Sequence, residues 1–257
     1  MIQPQPTTRV VALKEVDSTN SEAMRRAMSG TLAPLWIMAE RQSSGRGRSG
    51  RVWAGGEGNL TASLLLPLTG TVANAARLSL VAGVAVVDAI QGLNGGAPLP
   101  RLVLKWPNDI LVDGAKLGGV LIESSFAGDR PFAVVGVGLN LAIAPGIAGR
   151  RVTTLQEVTT RHVMPDVALA ALDAAFVRWA IDGRWQGEAG FRDVLSAWCA
   201  VSSPIGTEMT VNTQSGLEAG RFAGLDVDGA LLLAGQDGAI RKFTFGDVSL
   251  ASEKEMS

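Results

Sequence analysis

Between two apolar, strand-like stretches, Leu35 to Ala39 and Asn59 to Pro67, the chain runs Arg41-Gln42-Ser43-Ser44-Gly45-Arg46-Gly47-Arg48-Ser49-Gly50-Arg51-Val52-Trp53. This segment holds four arginines, three glycines and no acid, so it has to leave the core as a connection between two strands. Long connections of this kind are often functional. Glycines let a backbone come close to a ligand and expose its N–H groups, and arginine forks match carboxylate and phosphate geometry. The segment carries a charge of +4 in a chain whose net charge is only −1, which makes it a local anion trap. Arginine-glycine repeats also occur in disordered nucleic-acid-binding segments, and a basic loop can be a plain solvated turn. The apolar strands on both sides argue instead for an ordered protein with a negatively charged substrate.

A chain of 257 residues can bury a sizeable core as one large domain or as a large and a small one. Its 47% apolar and 18% charged composition, below the roughly 25% charged of an average domain, argues against disorder and against nonspecific polyanion binding. The apolar run Leu78 to Ala85 is far shorter than the ~20 residues that span a bilayer. Met1 to Arg9 lacks the apolar centre of a signal peptide, so a compact cytoplasmic protein without membrane partners is expected. Cys199 and His162 are the single cysteine and histidine, which excludes an internal disulfide and a Cys/His zinc cluster. Cys199, beside Trp198, reads as a packed small hydrophobe, and His162 sits in a turn-like stretch. A chain this poor in acid–base side chains suits chemistry in which the substrates bring the nucleophile and the protein brings position and charge.

The patterning is α+β. Strands are expected at Arg9 to Val16, Leu102 to Leu104, Ile110 to Val112, Leu117 to Ser124 and Phe132 to Leu141, with Asp113-Gly114 as a hairpin turn. Helices are expected from Thr19, capped through Glu22, to about Met28, with Ala23, Met24 and Ala27 inward. Further helices are expected over Thr71 to Leu93, Asp166 to Ile181 and Gly187 to Ala200. After Ala200 come short strands, Met209 to Val211, Leu217 to Leu225, Ala230 to Ala234, Ile240 to Phe245 and Val248 to Ala251, which suggest a small β-barrel. The expected division is residues 1–201 and 202–257.

Three further segments carry chemistry. Asp17-Ser18-Thr19-Asn20 gathers hydroxyls and an amide at a helix N-terminus, either as a plain cap or as a seat for a polar ligand head. Lys105-Trp106-Pro107-Asn108-Asp109 leads into Lys116-Leu117-Gly118-Gly119-Val120-Leu121-Ile122-Glu123. Paired glycines in a strand mark a close approach, Lys116 beside them reads as a charge stabiliser or a hairpin-end lysine, and Lys105 and Asp109 could pair. In Val135-Gly136-Val137-Gly138-Leu139-Asn140 the glycines share one face, a shelf for a flat ring or for a packed helix.

These five motifs, in this order and spacing, resemble the biotin protein ligases over about residues 9 to 250. The resemblance implies a mixed, largely antiparallel sheet flanked by helices, of the class II synthetase and biotin–lipoate ligase type, followed by an SH3-like barrel. It implies ATP and Mg²⁺-dependent activation of biotin to biotinyl-5′-AMP, then transfer to a lysine of the biotin carboxyl carrier protein domain of a carboxylase such as acetyl-CoA carboxylase. Carried over by motif, Ser18, Thr19, Asn20 and Gln42 would meet the biotin head, and Gly119 and Gly138 would line its slot. Gly45 and Gly47 would let the loop wrap the ligand, with Arg46 and Arg48 on its carboxylate and phosphate side. Lys116 would bridge carboxylate and α-phosphate, Trp53 and Asn140 would face the adenine, and Asp109 would place Mg²⁺ or Lys116.

The chain departs from the family pattern at Thr61, where many members carry an aromatic residue, and in Ala142 to Val152, which has no aromatic for adenine stacking. Sixteen residues before Asp17 leave no room for a winged-helix module, so no DNA binding is expected. A monomer and a homodimer both remain open, as do a lipoate or octanoate ligase and a non-catalytic adenylate-binding regulator.

Overall fold

The computed structural model describes residues 5–69, 75–146, 149–213 and 216–250. A seven-stranded sheet of order β1-β2-β3-β7-β6-β5-β4 forms its centre. The strands are β1 (Arg9–Val16), β2 (Leu35–Gln42), β3 (Leu60–Pro67), β4 (Leu102–Lys105), β5 (Asp109–Val112), β6 (Ala115–Ala127) and β7 (Arg130–Leu139). Only β1 and β2 run parallel; the other neighbours are antiparallel, as the sequence reading anticipates. Asp113 and Gly114 both have positive φ, 52° and 73°, which suits the two-residue hairpin between β5 and β6.

Helix α1 (Thr19–Met28) lies against one face of the sheet with Ala23 and Ala27 buried and Met24 partly so. Its N-cap is Ser18, not Thr19, and Ser18 Oγ accepts from Ser21 N at 3.5 Å. Thr19 is drawn inward because its hydroxyl meets Gln42 on β2, a tertiary bond that overrides the local capping pattern. On the other face lies α2 (Leu78–Leu93), packed by α4 (Pro165–Phe176) and α5 (Glu188–Ala200). Because α2 is covered on several sides, its apolar residues extend all round, and even Gly83 and Ala85 are buried. Of the helix expected from Thr71, residues 71–74 lie outside the described residues and the α-helix runs from Leu78; Ala75, Leu78, Ala82 and Val86 are buried. The helix expected over Asp166 to Ile181 is α4 followed by a wider π-type turn, Val177–Ile181. A short helix not anticipated, α3 (Leu155–Thr159), starts on a reciprocal capping box between Thr154 and Glu157.

The C-terminal segment forms a five-stranded antiparallel sheet of order β11-β10-β9-β8-β12. Its strands are β8 (Glu208–Thr213), β9 (Gly216–Leu225), β10 (Leu231–Ala234), β11 (Ile240–Phe243) and β12 (Asp247–Leu250). These are the five short strands expected for the small C-terminal β-unit, and every neighbouring pair is antiparallel. Ala251, assigned to the last strand by pattern, lies outside the described residues. Val211, Phe222, Leu231 and Leu233 join the same apolar core as α2 and Trp198. Cys199 on α5 is exposed, not packed as expected. Among the described residues no helix is long and apolar enough to cross a membrane.

One buried acid ties the start of the chain to this core. Asp173 on α4 accepts from Thr7 N, Thr7 Oγ1, Thr8 N and Trp36 Nε1 at 2.6, 2.9, 3.1 and 3.0 Å. Burial alone would raise its pKa, but the hydrogen bonds from Thr8, Thr7 and Trp36 outweigh burial and lower it. Its contribution is therefore complete above the unfolded carboxylate pKa of ~4 and lost as pH falls through the lower folded value. Asp173→Ala is expected to cost about 3 kcal/mol in urea unfolding at neutral pH. The gap between wild type and variant should narrow below pH ~4; a gap independent of pH would contradict this account.

Candidate active site

At the crossing of β6 and β7, Gly119 pairs directly with Gly138, and Gly136 pairs with Leu121. No side chain rises from the sheet at the glycines, and the space above them is a cavity of about 450 Å³. That volume lies within the ~300–1,000 Å³ usual for small-molecule sites. Ser18, Thr19, Asn20, Gln42, Arg46, Gly47, Arg48, Trp53, Asp109, Lys116, Gly119 and Gly138 all line this one cavity. Thus α1, the arginine loop, the β5–β6 hairpin and the β7 glycines, far apart in sequence, converge here. Gly45 lies just behind, where a Cβ would come within 2.6 Å of Trp53 O.

The glycine shelf has two occupants from the chain itself. A Cβ at Gly138 would lie 2.2 Å from the Trp53 indole, and one at Gly136 would lie 2.4 Å from Asn20 Oδ1. So the flat ring on the shelf is Trp53, while α1 supplies the close approach at Gly136; both readings of the paired glycines hold, one at each. Thr61 lies in the cavity wall under the same tryptophan. Asn140 is different. It is buried behind the cavity, its Nδ2 donates to Lys116 O and Thr153 O at 3.3 Å each, and it straps the 150–155 segment to β6. Its Oδ1 and the Trp53 Nε1 are the buried side-chain polar atoms without a partner among the described residues.

One end of the cavity is a cluster of neutral polar groups. Gln42 Oε1 accepts from Thr19 N at 2.7 Å and lies 3.0 Å from Thr19 Oγ1. Ser63 Oγ, fully buried on β3, lies 2.7 Å from Thr19 Oγ1 and 2.6 Å from Asn20 Oδ1. These three oxygen–oxygen contacts share two hydroxyl protons, so one acceptor is left for an outside N–H. Ser18 Oγ accepts from Ser21 N, and its own proton meets no acceptor among the described residues.

The other end is cationic. The loop folds back on itself through an Arg46–Val52 bridge and a 2.7 Å bond from Gly47 N to Arg51 O. Arg46 donates to both oxygens of Glu123 at 3.0 Å and to Ser21 Oγ at 2.8 Å. Arg48 donates to Asn108 Oδ1 and Gly246 O, both at 3.2 Å, and Arg51 pairs with Asp247 at 2.7 Å, so the loop is anchored on the C-terminal sheet. Burial pushes the Arg48 guanidinium below its ordinary range, and Asp247 offsets part of this.

Lys116 Nζ lies 2.5 Å from Asp109 Oδ1, and Lys105 and Arg150 approach Asp109 Oδ2 at 3.7 and 4.0 Å. One buried carboxylate thus faces three cations. Burial alone would raise the Asp109 pKa, but Lys116, Lys105 and Arg150 hold it below the usual carboxylate value. Burial likewise lowers the Lys116 pKa, and Asp109 offsets part of the shift. Among the described residues Asp109 is the only acid lining the cavity, and they contain no cluster of three metal-ligating side chains. A divalent cation on Asp109 would have to displace these ammonium and guanidinium groups, so the residues do not fit a protein-held Mg²⁺. Sequence reasoning assigned no role to Ser63, Asn108, Arg51, Arg150 or Asp247; each acts through a partner distant in sequence, which no local pattern signals. Asp109→Asn removes the group that offsets the effect of burial, so the pKa of Lys116 is expected to fall further. An NMR titration of ¹⁵N-labelled lysine in which the Lys116 transition is unmoved would refute this.

Residues 13–140 match the family described as "Biotin/lipoate A/B protein ligase family", and residues 205–251 match "Biotin protein ligase C terminal domain". The chain is 40% identical to a biotin--[acetyl-CoA-carboxylase] ligase of Paracoccus denitrificans, over 88% of this chain and 94% of that protein. It is 32% identical to the bifunctional ligase/repressor BirA of Escherichia coli, over 96% of this chain and 75% of that one. Its fold is similar to a biotin protein ligase from Aquifex aeolicus solved with biotin and ATP. The TM-score is 0.75 at 28% identity, with 94% of this chain and 98% of that chain covered. With both matched segments in order and a relative spanned almost end to end, the chain belongs to the biotin protein ligases.

Proposed function

We propose that this chain joins biotin to ATP as biotinyl-5′-AMP and passes the biotinyl group to a lysine of the biotin carboxyl carrier protein domain of a carboxylase. The observation that carries the reading is the polarity of this cavity: neutral hydrogen-bonding groups at one end, Lys116 and the arginine loop at the other, and a sheet floor bared by glycine between them. A cyclic urea offers two N–H donors and one carbonyl. The cluster of Thr19, Ser63, Asn20 and Gln42 is one proton short, and Ser18 has a proton to give, so the two sets are complementary.

In the first step a carboxylate oxygen of biotin attacks the α-phosphorus of ATP, the new O–P bond forms, and pyrophosphate leaves with the electrons of the broken anhydride bond. Negative charge grows on the phosphoryl oxygens, where Lys116 acts as a fixed donor and Arg48 as a second, while Gly45 and Gly47 let the loop backbone close over the adenylate. Arg46 stands at the same rim. In the second step the carrier lysine attacks the acyl carbonyl and AMP leaves. No side chain of this protein becomes covalently bonded, in keeping with the exposure of Cys199, its single cysteine, on α5. Trp53, already over Gly138, covers the slot, and Asn140 sets the 150–155 segment that bears Arg150. Magnesium enters this reading as the counter-ion of the nucleotide phosphates and not through Asp109. Residues 1–201 are taken as the catalytic unit and 202–257 as the accessory one.

Pyrophosphate release from Mg-ATP, measured with biotin, lipoate or octanoate offered separately and followed by mass spectrometry of an added carrier domain, tests the reading. Biotin-dependent release with a mass gain on the carrier is expected. Release with lipoate or octanoate alone would transfer the chain to the sister activity, and tight biotin binding with no release would make it a sensor. Lys116→Ala is expected to slow adenylate formation by about 10² to 10³-fold; a rate near that of the wild type would remove Lys116 from the chemistry.

A further inference from the structure

Glu123, near the middle of β6, belongs to neither end of the cavity and touches both. Its Oε2 accepts from Asn20 Nδ2 at 2.7 Å, and both its oxygens accept from Arg46 at 3.0 Å. Asn20 Oδ1 is meanwhile held by Ser63 Oγ at 2.6 Å, so the orientation of the Asn20 amide is set by a donor on β3 and an acceptor on β6. An unbroken line of contacts therefore runs Gln42–Thr19–Ser63–Asn20–Glu123–Arg46, from the polar end of the cavity to the arginine loop. Ser21, one residue after Asn20, takes the second arm of Arg46 at 2.8 Å, so the loop rests on α1 and Glu123 together.

We propose that Glu123 is a positioning residue serving both substrates: it fixes the Asn20 amide toward the acid's head group and holds Arg46 at the rim where the nucleotide anion arrives. The inference rests on the ligase reading above. The carboxylate accepts from an amide and a guanidinium at once and gives Arg46 two charge-assisted bonds, whereas its neutral isostere has a single accepting oxygen and no charge. In Glu123→Gln one oxygen remains as acceptor and an NH₂ is turned against a donor, so either Asn20 or Arg46 loses its orientation. A charge-assisted bond of this kind corresponds to about a tenfold change in affinity or more.

The test is titration calorimetry of the full-length chain with biotin alone and with a non-hydrolysable ATP analogue alone, in wild type, Glu123→Gln, Arg46→Ala and the double variant. Glu123→Gln is expected to weaken both ligands by about tenfold while leaving the thermal midpoint unchanged. In the Arg46→Ala background the same substitution should no longer affect the nucleotide analogue, because the partner through which it acts is gone, and its effect on biotin should shrink, because the remaining amide oxygen is then free for Asn20. Weakening of the analogue by the same factor with and without Arg46, or no effect on either ligand in a wild type that binds both, would overturn the role of Glu123. A wild type that binds neither biotin nor the analogue would overturn the ligase reading and this inference with it.

Discussion

The site depends on side chains that are missing. At the crossing of β6 and β7 the paired Gly119 and Gly138, with Gly136 two residues along, leave the centre of a large sheet bare on one face. Everything else is arranged around that gap. Trp53 folds onto Gly138, Asn20 approaches over Gly136, and Lys116 crosses above Gly119 at the distance a Cβ there would make tight, 3.3 Å. A methyl group at either β7 glycine would fall inside an occupied atom, so the floor of the cavity and the loop that covers it are set by one steric condition. On the opposite face of the same strands Val120, Ala133, Val135, Val137 and Leu139 join the apolar core shared with α2, which keeps the sheet rigid beneath the gap.

Charge is the second condition. Lys116 and Arg150 beside one buried carboxylate place more positive than negative charge against Asp109 in a poorly solvated place. Such an arrangement is costly alone, and it is the state that an incoming phosphate would relieve. The polar end shows the same logic on a smaller scale, with hydroxyls short of protons where a ligand carries N–H groups. Both ends are incomplete in ways that complement one molecule or its adenylate.

Much of this was legible in the sequence. The period-two glycines, the Asp113-Gly114 turn and the arginine segment between apolar strands are local signals, and local backbone preference decides them. The lining of the cavity followed from the motifs because Lys116 and Gly119 sit on β6 and Gly138 on the neighbouring β7, which pair antiparallel along their length. What was not legible depends on distant partners. Ser63 reads as one polar residue in a buried strand until Thr19 and Asn20 are brought beside it. Thr19 looks like a cap because capping is local, whereas its bond to Gln42 spans 23 residues. Asn140 follows the glycines and reads as a ligand contact, yet its side chain faces Lys116 O and Thr153 O, away from the cavity.

Gly246, whose carbonyl receives Arg48, lies 198 residues further along the chain, and Asp247 beside it receives Arg51. During synthesis the arginine loop emerges early, with its charges unmatched on this side. Its partners emerge only after the whole sheet, the helical layer and most of the C-terminal strands. A chain cut short before Gly246 would still possess every residue of the cavity wall, but Arg51 and one arm of Arg48 would lack the partners that seat this side of the loop. The order in which the ribosome delivers these segments therefore makes a seated anion trap the last feature of the protein to mature.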